Sequence, residues 1–588
     1  MVILFLLSLS GYMYICHKKI QLEKEYIPIF VLSIIALIVF LGGLLGQLLL
    51  SACFVMVIGL ILSSVLIKDI LKKKVIVGSL SLSSICLTIG IIAFLILSLF
   101  LRWDHFDNFS HWGIVVKQML IDHHFPNYQN SLIAFKDYPL GISSLIYYFC
   151  VFLGRSQGIM LVSQNALLLS CFYAMFGIIK EKKRFLLYTT LALGLSLCIY
   201  LNYTIRINNL LVDFLLPCMV LATFSISYQY RHQFKKGIIT LIPILMFITI
   251  IKNTGIFFMI IGYLYWIIIS KNHSSSVIKK VFYSLGIFFI ILLPILLWKY
   301  HVQITFIDWQ HKFDLFSKNI PPSKYLQVIS LFIQSTFSFT YRSSQALFLF
   351  QILAMLLCLY NHFILKKKWL LWKVWIGCNL VVICYYVGIL AMYLFSMPEY
   401  EALKLAGYER YACSIVVLLG GSLTLCLVKD IEKSFYIQLG NDDNYRAFYS
   451  PKTKSAYQKL TMISAILAFF LIYSEFGELI AIRKDYSKSL AGKVYQIVGD
   501  YWDKQDSNNC YLVVSSNQKQ IDSYEIDYTV KYFLYASNVD VVSSINQKKQ
   551  FENYDYLIIL DQDCIEQKIL KQYPKWKQEG IYRINEMK

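Results

Sequence analysis

The segment 101–117, LRWDHFDNFSHWGIVVK, concentrates ionisable side chains directly behind the apolar run 75–101. Coiled into a helix at a membrane surface, it would carry Asp104, Asp107 and His111 at i, i+3 and i+7, on one face. Trp103 and Trp112 would sit at the headgroup level. Two carboxylates and an imidazole converging on one point can take a proton from a substrate hydroxyl, and the same three can ligate one divalent cation. A plainer reading of these residues is a helix capped by Asp104 or Asp107 beneath an ordinary aromatic belt.

Other ionisable residues stand awkwardly close to apolar runs, where a charge inside a membrane span costs roughly 2.5–3.5 kcal/mol. Asp213 lies inside LLVDFLLP, either solvated at the interface or at the floor of a cavity. Lys252, in IIKNTGIFF, separates two apolar runs at a turn that Gly255 permits. It either marks a simple hairpin or offers a point charge to a lipid-linked phosphate. MPEYEALKLAGYERY, 397–411, adds Glu401, Arg410 and Tyr411 at the entrance of a span, where a guanidinium can grip phosphate bidentately.

The elements that must position these groups are membrane spans. A mean hydropathy of +0.58, with 57% hydrophobic and 15% charged residues, excludes a soluble globule of 588 residues. The formal charge of +20 does not indicate nucleic acid, because Lys and Arg cluster between apolar runs, as in the pattern that orients helices in a bilayer. Runs of spanning length occur at 2–16, 27–45, 47–67, 75–101, 157–179, 185–201, 209–228, 237–251, 254–270, 281–298, 346–365, 372–396, 411–428 and 460–479, about fourteen in all. With the first end outside, alternation puts the basic clusters around Lys18, Lys72, Lys182, Lys235, Lys279 and Lys367 in the cytoplasm. The condition is that Tyr138–Gly154 does not span. It reads as an interfacial or re-entrant helix opened by Pro139, so that 102–156 is an outer loop with two surface helices.

All of the residues singled out then fall on one, extracytoplasmic, face. The chain divides into a transmembrane module, 1–480, and an extracytoplasmic α/β domain, 481–588, with strands expected at 511–516, 539–544, 554–560 and 580–584. Lys429–Lys459, containing NDDN at 441–444, reads as a cytoplasmic linker. The 14 cysteines lie mostly in apolar segments and say little about redox compartment. There is no glycine-rich phosphate loop, CxxC, HExxH or GxSxG motif, so a reaction must be driven by an activated substrate or a gradient.

An acidic loop after a span, a proline-led helix, a Lys-x-Thr-Gly turn, a late Arg-Tyr and a small outer domain together resemble the GT-C superfamily of polyprenyl-phosphate-sugar-dependent glycosyltransferases. DNFSHWG, 107–113, is similar to a motif of bacterial members. The sequence departs in having Leu140 where a second proline is common, and in carrying Asp104 three residues early. The resemblance implies an all-α polytopic fold and Asp107 as general base, with Asp104 as its neighbour. It also implies Tyr138 at the second helix, and Lys252 and Arg410 at the donor phosphate. His111, Lys117, Asp213, Glu401 and Tyr411 join them as substrate-binding candidates. The implied partners are a polyprenyl-phosphate-linked sugar, a glycan or wall-polymer acceptor and membrane lipids. No cofactor is required beyond a possible divalent cation. The alternatives are a lipid-linked oligosaccharide flippase or transporter, which calls for mid-bilayer charges and repeated halves, and a polysaccharide polymerase.

Overall fold

The computed structural model describes residues 1–73, 81–128, 130, 132–270, 277–306, 320–363, 371–434, 448, 450–503, 509–516 and 523–584. Within them the chain is an all-α polytopic membrane protein with a small C-terminal α/β unit. A helix at each of the fourteen apolar runs satisfies the backbone internally, as the bilayer demands. Nine described helices are long and apolar enough to cross a membrane. The helices at the remaining five runs, Val2–Ile15, Phe185–Leu201, Leu215–Tyr230, Phe234–Thr249 and Gly255–Ile269, have 14 to 17 residues. They reach only about 21–26 Å at 1.5 Å per residue. Serine caps start several helices: Ser81, Ser156 and Ser450 accept from the amides of Ser84, Ile159 and Thr453.

Three expectations are corrected. The run 209–228 does not begin as helix: 202–214 is irregular and buried, and the helix starts at Leu215. Non-helical backbone at that depth needs internal partners. Gln164 supplies them by donating to the carbonyls of Asn209 and Leu211 at 3.0 and 3.3 Å, as does Asn165 to Ile207 at 2.9 Å. The segment 138–154 gives a helix, Gly141–Leu153, of 13 residues, about 20 Å and too short to span. It is wedged against Ile27–Leu44 and Gln157–Phe176, as suits the re-entrant rather than the interfacial form of the expectation, and Pro139 precedes its N-cap, Leu140. The companion helix, Gly113–Asp122, is also buried, and Trp103 and Trp112 form no interfacial belt because both are packed inside. Finally, the proposed linker is shorter than expected, since Tyr408–Ser434 and Pro451–Asp485 extend into it; NDDN lies outside the described residues.

One helix fixes which groups share an end. Arg410 lies in the first turn of Tyr408–Ser434, while Lys429 and Glu432 lie in its last turns, about 28–33 Å away. At that far end Glu432 accepts the amides of Lys180 and Glu181, Arg184 donates to the Glu432 carbonyl at 2.8 Å, and Lys182 pairs with Glu25 at 2.7 Å. Basic clusters therefore gather opposite Arg410.

The C-terminal sheet has strands β1 (Tyr511–Val514), β2 (Val539–Val542), β3 (Tyr556–Ile559) and β4 (Gly580–Arg583) in the order β2-β1-β3-β4. β1 is parallel to β2 and β3, and β4 is antiparallel to β3. The helix Ser523–Leu534 crosses from β1 to β2 and carries the apolar core of the helical bundle into this unit, while Leu512, Val514, Leu557, Ile559 and Trp576 form a second cluster on the other side of the sheet.

Candidate active site

Four charged side chains from four separate stretches meet in a chain of ion pairs. Asp107 pairs with Arg410, the Arg410 Nε stands 3.8 Å from Asp213, and Asp213 accepts from Lys252 at 2.6 Å. Asp213 is 5% exposed and Lys252 9%. Opposite charges withdrawn this far from water persist only when paired. Tyr411 completes the group: its hydroxyl accepts from Arg410 at 3.1 Å, and its ring lies 5.6 Å from the Lys252 ammonium.

Local sequence explains each position. Lys252 occupies the turn between Phe234–Thr249 and Gly255–Ile269. Gly255 is required there because a Cβ would stand 2.1 Å from the Ile248 carbonyl oxygen. The turn is pinned to the next element by the Gly141 amide, which donates to the Ile250 carbonyl at 2.9 Å, an approach that a Cβ at 141 would block. Asp213 ends the buried 202–214 stretch, and its carbonyl accepts from Ser414 at 2.9 Å, one turn beyond Arg410. The same stretch is held from outside by Arg206 paired with the buried Glu475.

Asp104, Asp107 and His111 do not share a face. The chain from Leu101 to His105 is irregular, and the helix begins at Phe106, widening into a π-type turn over Asn108–Trp112 before it continues as Gly113–Asp122, so Asp104 stands outside the helix that carries Asp107 and His111. Asp104 is exposed and accepts from Asn208 at 3.3 Å, outside the ion-pair chain. His111 is 3% exposed, ringed by Trp112, Phe135 and Tyr138, and its Nδ1 has no partner among the described residues. Burial pushes its imidazole down to about 3, so it is neutral at pH 7. Among the described residues no three His, Cys, Asp or Glu side chains form a ligand set.

Tyr138 borders the group, stacked on Phe135 at 5.4 Å, and burial raises its phenol. Glu401 lies on the short helix Glu399–Leu403, outside the ion-pair chain, and Glu409 caps Arg342–Phe363 by accepting the amide and hydroxyl of Ser343. Lys117 is elsewhere. Fully buried, it donates to Asp500 and to the Tyr532 carbonyl, both at 2.8 Å, and faces the rings of Trp502, Tyr532 and Tyr535. Burial lowers its ammonium to about 8 against the pull of Asp500. It joins the segment 101–117 to the C-terminal unit rather than facing the ion pairs.

Sequence reasoning passed over the amides that align the loops. Asn108 donates to Asn209 at 2.8 Å and accepts the Leu210 amide at 2.9 Å, tying the residue after Asp107 to the stretch that carries Asp213. It also passed over His105, whose Nδ1 accepts the Asp107 amide at 3.2 Å, which leaves the proton on Nε2. Burial lowers this imidazole against the nearby Asp107 charge. The run of asparagines in RINNLLVD was the available signal, because amides inside an apolar segment need partners.

No family model matches the chain, and no curated protein matches it. Among solved structures it is similar to ArnT from Cupriavidus metallidurans bound to undecaprenyl phosphate, at 10% identity and a TM-score of 0.42 over 79% of this chain and 86% of that one.

Proposed function

We propose that the protein is an inverting glycosyltransferase that moves a sugar from a polyprenyl-phosphate donor to a cell-surface glycan or wall polymer at the outer membrane face. The observation that carries this reading is the convergence of Asp107, Asp213, Lys252 and Arg410 at the ends of helices. Two cations there match a phosphate delivered from the bilayer, and a carboxylate beside them matches an acceptor hydroxyl. The basic clusters at the opposite end support an outward orientation of this face.

In the reaction the anomeric carbon–oxygen bond to phosphate breaks, and its electron pair stays on the departing phosphate oxygen. Arg410 and Lys252 neutralise that charge as it develops. The acceptor oxygen bonds to the opposite side of the same carbon, which inverts its configuration, and Asp107 removes the acceptor proton. Asp107 suits this role better than Asp213 because its side chain is 19% exposed against 6%. Asp213 instead holds Lys252 in place. Without donor Asp107 is paired to Arg410, so an arriving phosphate takes the guanidinium and releases the base. The order of binding is then donor first. A transporter would distribute its charges across the membrane midplane, whereas these gather at one end.

The test is transfer by the full-length protein in proteoliposomes from labelled polyprenyl-phosphate sugars to surface polymer from a deletion strain. Loss of a side-branch sugar in that strain, restored by wild type and not by Asp107→Asn, supports the reading. Absence of the whole polymer in the strain, or undiminished transfer by Asp107→Asn, overturns it.

A further inference from the structure

The C-terminal unit lies along the catalytic segment. Its helix Ser523–Leu534 places Tyr524 against Phe106 at 5.4 Å, Tyr532 and Phe533 against Phe109 at 5.3 and 5.6 Å, and the Tyr532 carbonyl on Lys117. The direction of this helix follows from the sheet. The Tyr511 amide donates to the Asn538 carbonyl, so the helix ends at the amino edge of β1 and β2. Twelve residues run about 18 Å, which brings its first turn back to the carboxyl edge. Tyr524 is in that turn and 45% exposed, and it touches the neighbour of Asp107.

The carboxyl edge is also where the strand order reverses. From β1 the chain passes to β2 on one side, and then to β3 on the other. Open α/β sheets bind ligands in the crevice outside the carboxyl ends of the strands at such a point. Here Asp561, just beyond β3, accepts from the Ser515 hydroxyl at 2.6 Å and the Ser516 amide at 3.1 Å, just beyond β1. Lys493 stands 3.5 Å from the other carboxylate oxygen and is 37% exposed. The carboxylate oxygen that faces Lys493 and this loosely held ammonium accept and donate hydrogen bonds, which suits a chain of sugar hydroxyls. The aromatic surfaces of Tyr524 and Phe106 suit the apolar faces of sugar rings.

We propose that the carboxyl edge of this sheet is a saccharide subsite, formed by Ser516, Asp561 and Lys493 over the buried Ser515 and continued to Asp107 across Tyr524 and Phe106. It gives the acceptor glycan a second hold, so it rests on the glycosyltransferase reading, and it makes the C-terminal unit part of acceptor recognition. It also accounts for an exposed tyrosine at the doorway of the ion-pair cluster.

The experiment measures retention of fluorescent neutral and phosphate-bearing hexose oligosaccharides by the full-length protein in nanodiscs, with Tyr524→Ala and Asp561→Asn beside wild type. Because Asp561 also orders Ser515 and Ser516, the surface variant Tyr524→Ala guards against a result caused by misfolding. The expected result is retention by wild type that weakens about tenfold in each variant. Equal retention by wild type and Tyr524→Ala, or no retention by wild type, overturns the subsite. Retention requires no transfer, so the two readings fail separately. Sugar binding that depends on Tyr524 without any donor turnover leaves the subsite and removes the transferase. Turnover indifferent to Tyr524 in acceptor KM does the reverse.

Discussion

Arg410 has more than one carboxylate to answer to, and this competition determines what single substitutions do. Its guanidinium is paired with Asp107, while its Nε, 3.8 Å from Asp213, lacks a hydrogen-bond partner. Removing the Asp107 charge frees the guanidinium for phosphate. Asp107→Asn should therefore lower turnover by about 10²–10⁴-fold, the usual worth of a general base, and at the same time tighten retention of labelled donor. A variant that lost both would show Asp107 to be a donor ligand instead of the base. Arg410→Lys keeps the charge but not the fork. The loss of charge-assisted hydrogen bonds worth about 1.5–3 kcal/mol should weaken donor retention about 10–100-fold, and unchanged retention would take the phosphate away from Arg410.

At the scale of elements, two small junctions set the position of Asp107. The first is Asn108, which binds the 202–214 stretch through Asn209 and Leu210. Asn108→Leu keeps the branched shape but leaves the buried Leu210 amide without its acceptor, at a cost of about 1–3 kcal/mol. Turnover should fall more than thermal stability does, since Asp107 and Asp213 lose their common brace. A fall in stability with turnover intact would make Asn108 a packing residue only. The second junction is Lys117 on Asp500. The folded ammonium titrates at about 8, below its ordinary 10.5, so between those values the undocked state binds more protons. Docking of the C-terminal unit should accordingly strengthen as pH rises from about 8 towards 10.5 and be weakest, and level, below that window. Asp500→Asn removes the group that holds the ammonium up, extends the window to lower pH, and weakens docking at neutral pH by about 3 kcal/mol. Hydrogen exchange of the Ser523–Leu534 amides reads this once each rate is divided by the base-catalysed rate of an open amide at the same pH, and a protection factor that does not change with pH would refute it.

For the whole molecule the decisive quantity is sidedness. Asp104 and Glu401 belong to the end that carries Arg410, and Lys182 to the end that carries Glu432. Single cysteines at 104 and 401 in a background cleared of exposed thiols should react with an impermeant reagent added to intact cells, and a cysteine at 182 only after the membrane is opened. Labelling of 104 and 182 from the same side would break the separation of the basic clusters from the ion-pair cluster, and with it the outward-facing reaction.

Sequence alone determined the class of molecule, because hydrophobic length and the spacing of basic clusters are local properties that the bilayer reads one segment at a time. It also singled out Asp107, Asp213, Lys252, Arg410 and Tyr411, since a charge beside an apolar run is conspicuous without any knowledge of its partner. It did not foresee the surroundings of Asp104, His111 and Lys117, for a reason particular to each. The helix starts only at Phe106, which left Asp104 in the irregular stretch before it and apart from its supposed companions. Burial among aromatic rings left His111 neutral. The docking of a helix four hundred residues away turned Lys117 into a structural contact. Only tertiary structure could decide these, because pairing, burial and register depend on which distant segments come to lie against one another, and no local pattern of residue types records that choice.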